Sequence, residues 1–128
     1  MRVLCFGSEL VENDDTALKV CELLKSDFAD VEFIVCHDPS EILEHAEDDI
    51  ILDVVKGIDH VQFIDDDLLN ERKLYTLHDF DLGFFIKLVK EIGGPKTRIL
   101  GLPYGKSAQS LLSEVKRILN EFYLKEVR

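Results

Sequence analysis

Apolar residues along this chain fall into blocks of two kinds. The first kind is short and continuous: "VLCF" (Val3 to Phe6), "VEFIVC" (Val31 to Cys36), "DIILDVV" (Asp49 to Val55) and "RILGL" (Arg98 to Leu102). Such runs read as strands buried on both faces. "VQFI" (Val61 to Ile64) reads as a shorter strand nearer an edge, and part of "KLYTL" reads as extended. The second kind recurs at helical spacing. Ala17, Cys21, Leu24 and Phe28 lie on one helical face, with Asp14 or Asp15 where an N-cap would stand. "DPSEILEHAE" offers Asp38 as a cap and Pro39 in a first turn. Leu82, Phe85, Ile86, Val89 and Ile92 trace a third helix, stopped by Gly93, Gly94 and Pro95. Leu111, Leu112, Val115, Ile118, Leu119 and Phe122 form the face of a closing helix.

The resulting order is β-α-β-α-β-β-α-β-α. It predicts an α/β three-layer sandwich, with a mostly parallel five-stranded sheet and helices on both faces. Residues 1–128 read as a single domain, with no internal repeat, linker or low-complexity segment. In such folds ligands bind outside the carboxyl ends of the strands.

Composition narrows the partners. The 15 basic and 26 acidic residues give a formal charge of −11. That field repels polyanions, so no nucleic acid and no anionic membrane is expected as a partner. A basic or metal-bearing partner suits it better. No apolar run approaches the ~18 residues of a membrane span. The first residues have too short an apolar run for a signal peptide, so a soluble, cytoplasmic protein is expected. Cys5, Cys21 and Cys36 have no C-x-x-C spacing and are odd in number. They read as three reduced, buried thiols.

Three polar residues fall at or just past predicted strand ends: Asp14, Asp53 and His78. Two carboxylates and one imidazole suit a divalent ion with open coordination positions. Each also has a plainer reading. Asp14 alone is a helix cap, and His78 alone is a surface or capping residue. Asp53 is harder to dismiss, because a carboxylate inside an apolar strand must be paired, hydrogen-bonded or at an exposed strand end. His37, after the second strand, is a reserve candidate. "DDD" at 65–67 reads as a solvated loop. No phosphate-cradling glycine motif and no nucleophile elbow is present.

In these motifs the chain resembles the [NiFe]-hydrogenase maturation proteases. That family opens with a strand, a G-N-x-L-x-x-D-[DE] loop and a helix. "FGSELVENDD" is similar through Gly7, Leu10 and Asp14, with Ser8 in place of the asparagine and Asn13 in place of an acid. "IILDVVKG" resembles the family's second motif at Asp53, and "YTLHDF" its third at Thr76 and His78. The resemblance implies an endopeptidase that removes the C-terminal peptide of a hydrogenase large-subunit precursor after nickel insertion. It implies Asp14, Asp53 and His78 as catalytic and metal-binding residues. The nickel would be supplied by the substrate, and cadmium or zinc would substitute in crystals. Two other readings stay open. One is a receiver domain phosphorylated on Asp53. The other is a processing-inactive relative that only binds nickel or a hydrogenase subunit.

Overall fold

The computed structural model describes residues 2–7, 15–36, 50–65, 75–76, 91 and 98–127. The elements are β1 (Arg2–Phe6), α1 (Thr16–Leu24), β2 (Glu32–Cys36), β3 (Ile50–Lys56), β4 (Gln62–Ile64), β5 (Tyr75–Thr76), β6 (Arg98–Pro103) and α2 (Ala108–Val127). All five expected strands are present. β5 is a sixth, only two residues long, in the stretch read as partly extended. The helices expected over 38–47 and 82–92 lie outside the described residues, apart from Glu91, which is helical.

The sheet runs β2-β1-β3-β6-β4, with β5 attached to β3 off this path. The β1–β2, β1–β3 and β3–β6 ladders are parallel. β4 joins β6 antiparallel at the edge, and β5 joins β3 antiparallel. The central strands are continuous apolar runs because both of their faces are covered. Val3, Cys5, Leu52, Val54, Leu100 and Leu102 meet Ala17, Cys21 and Leu24 of α1 and Leu111, Val115 and Leu119 of α2. Leu4, Phe6, Ile51 and Val55, which alternate to the other face, are buried as deeply. Burial on both sides is what a three-layer arrangement requires. Each fully buried leucine or isoleucine contributes about 2 kcal/mol of transfer free energy.

Two local expectations change. Asp15 holds the N-cap position of α1, but its side chain makes no capping hydrogen bond. It pairs instead with Lys19 one turn on, at 3.1 Å. The cysteines are also not three free thiols. Cys5 and Cys21 form a disulfide, and Cys36 is a buried thiol outside that bond. Cys5 points from β1 toward α1, and Cys21 points from α1 toward the sheet. Their Cα atoms are 6.6 Å apart, a separation a disulfide spans.

Candidate functional site

Asp53 lies inside β3, three residues before that strand ends. It is nonetheless at the level where its neighbour runs out. The β1–β3 ladder stops at the pair Cys5–Leu52, and β1 itself ends at Phe6. On the same side of β3, the β5 ladder begins only at Val55, opposite Thr76. Asp53 and Val54 therefore sit at a break between two neighbours. Among the described residues Asp53 is the charged side chain that is buried, 4% exposed.

The backbone at this break is satisfied locally. The carbonyl of Val55 accepts the N–H of Tyr104, so Val55 is turned toward β6. Val54, one residue earlier, is turned toward the break. Its N–H donates to Oδ1 of Asp53 at 2.9 Å. The carboxylate thus takes a donor that the shortened β1 leaves behind, which answers part of the cost of burying it.

Gly101 is Asp53's register partner on β6 and shares its face. A Cβ there would lie 2.9 Å from Ile64 Cδ1 and 3.0 Å from Ile58 Cδ1. Sequence reasoning passed over this glycine. Its signal was a lone glycine inside an apolar strand, which marks a close approach. Beyond Asp53, β3 closes on Gly57, whose φ of 106° suits glycine.

Asp14 and His78, the other two predicted site residues, lie outside the described residues, as does His37. Asp14 directly precedes Asp15, the N-cap of α1. His78 follows two residues after Thr76, and β5 runs antiparallel to β3, back toward Asp53. Among the described residues no group of three His, Cys, Asp or Glu side chains is placed to hold a metal ion. His60 is exposed and bonds Asp59 Oδ1 at 2.7 Å, away from the break. A cleft of about 660 Å³ opens between the first turns of α1 and α2, lined in part by Asp15, Lys19, Glu22 and Lys106. It lies on the helix-covered face that Val54 shares, not on the face of Asp53.

A receiver domain would need an all-parallel 2-1-3-4-5 sheet, whereas the edge strand β4 here is antiparallel. Lys106, past the end of β6, donates to the carbonyl of Asp59 at 3.0 Å.

No protein-family model matches the chain. No curated protein matches it significantly. Two solved structures share its fold. One is a hydrogenase 3 maturation protease, 19% identical, with a TM-score of 0.62 over 91% of this chain and 86% of that one. The other is an uncharacterized protein from Wolinella succinogenes, 17% identical, with a TM-score of 0.61 over 94% of this chain and 97% of that one.

Proposed function

We propose that this chain is a processing endopeptidase that trims the C-terminus of a nickel-loaded hydrogenase large-subunit precursor. The observation that carries the reading is the buried Asp53 at the break beside β3. Burying a carboxylate inside a strand core costs free energy, and this one stands where β1 ends. Thr76 is opposite Val55, two residues past Asp53. His78 follows Thr76 by two residues in the sequence, which is the ground for including it in the proposed site. The shared fold of a hydrogenase 3 maturation protease supports the same reading.

In this mechanism Asp14 and Asp53 offer two oxygens and His78 one nitrogen to the nickel carried by the substrate, a donor set suited to a borderline divalent ion. Such an ion polarises a carbonyl or activates water, which supplies the chemistry that serine or cysteine supplies in other proteases. Val54 fixes the Asp53 carboxylate through its N–H. The acidic chain attracts the cation and leaves coordination positions for the substrate. The protein works where precursor is made, in the cytoplasm.

The test is trimming of nickel-loaded precursor, read as a mass loss at its C-terminus. Wild type should trim it and leave nickel-free precursor intact. Asp14→Ala, Asp53→Asn and His78→Ala should each reduce trimming to background while the circular dichroism stays native. Normal trimming by the Asp53 and His78 variants would overturn the assignment. Nickel-dependent binding of the precursor without cleavage would leave the processing-inactive reading in its place.

A further inference from the structure

We propose that Cys5 and Cys21 form a redox-responsive latch that fastens α1 to β1. Their bond joins residues separated by 16 positions. It therefore closes the whole connection from Gly7 to Asp15. Cys5 is 0% exposed and Cys21 1%. The third thiol cannot compete for either. Cys36 is in register with Phe6, so it lies on the opposite face of the sheet from Cys5. The pairing is thus unique, and oxidation has one product.

The chemistry balances with a small disulfide such as oxidised glutathione as the oxidant. One cysteine thiolate attacks it, forms a mixed disulfide and releases one glutathione thiolate. The second cysteine thiolate displaces the other glutathione and closes the Cys5–Cys21 bond. Two protons leave the protein thiols and finish on the two glutathiones. A dithiol such as dithiothreitol reverses the sequence. Because both sulfurs are buried, either direction needs α1 to lift from β1, and exchange follows that opening. When the bond is open, the packing of α1 on the sheet remains. When it is closed, the connection carrying Asp14 has both its stems fixed. The consequence for Asp14 rests on the function proposed above, whereas the latch itself does not.

The experiment uses the full chain refolded from denaturant in oxidised glutathione or in dithiothreitol, so that burial cannot block exchange. Each sample is then denatured, treated with N-ethylmaleimide and weighed. The oxidised sample should carry one maleimide, on Cys36, and the reduced sample three. Closing a loop of this length should raise the Tm of the oxidised protein by about 10 °C. Amide exchange in α1 should slow at least tenfold. Cys21→Ala should show no response of Tm to oxidant. Three modified thiols after refolding in oxidised glutathione, or equal Tm in the two states, would overturn the latch. None of these readouts uses trimming, so failure of the protease reading and failure of the latch are separate results.

Discussion

Asp53 shows how one residue can be conspicuous in sequence and still need its neighbours to be understood. In "IILDVV" it is a charge among apolar residues, and burial confirms the anomaly. What the run does not show is the Val54 N–H that the carboxylate accepts. This gives a way to part structure from chemistry. Asp53→Ala leaves that N–H unpaired and should cost about 1–3 kcal/mol in denaturant titration. Asp53→Asn keeps an acceptor of the same shape and should stay within about 1 kcal/mol of wild type. Both should lose trimming. Gly101 is the complementary case. An added methyl meets Ile64 at Cδ1 and Cγ1 and Ile58 at Cδ1, side-chain atoms that must shift to admit it. Gly101→Ala should therefore cost about 1 kcal/mol, and Gly101→Val more, in the same titration.

Among the elements, β5 is two residues long and runs antiparallel to β3. In the function proposed above it is the element that aligns the segment carrying His78. Val55 faces β6, so the pair Lys56–Tyr75 must supply the hydrogen bonds of the β3–β5 ladder. Tyr75→Pro removes one donor. It should cost about 1 kcal/mol yet lower trimming at least tenfold. Trimming that fell only as much as stability would refute an aligning role for β5. At the other edge, Glu114 of α2 accepts the N–H of Val61, just before β4, at 3.2 Å. Glu114→Ala should cost about 1 kcal/mol in thermal unfolding, whereas Glu114→Gln should restore most of it. No pattern in the sequence links positions 53 residues apart.

The whole molecule carries a formal charge of −11 on 128 residues. Self-repulsion of that size weakens the compact state, and salt screens it. Raising sodium chloride from about 20 mM to about 300 mM shortens the Debye length severalfold and should raise Tm by a few degrees. A Tm that fell with salt would mean that the described surface pairs, such as Lys116–Asp27 at 2.8 Å, outweigh the net repulsion. Among the described residues no helix is long and apolar enough to cross a membrane. At this scale the fold is shared with a hydrogenase 3 maturation protease, at 19% sequence identity. A core of this type accepts very different sequences because hydrophobic pattern and volume are what it demands.

Sequence alone determined the order of the five longer strands with α1 and α2, the buried central strands and the oddity of Asp53. These are legible because they depend on periodicity and on the cost of burying a charge, both local properties of the chain. Val3 to Phe6 and Ile50 to Val55 were readable for this reason, and so were Leu111, Val115 and Leu119 on α2. Tertiary structure alone decided which strands neighbour β3, where β1 stops beside it and that Gly101 faces Asp53. It also brought Cys5 to Cys21, against the expectation of free thiols. Each of these is a meeting of residues distant in sequence. It is set by register and by packing between layers, which no local pattern encodes.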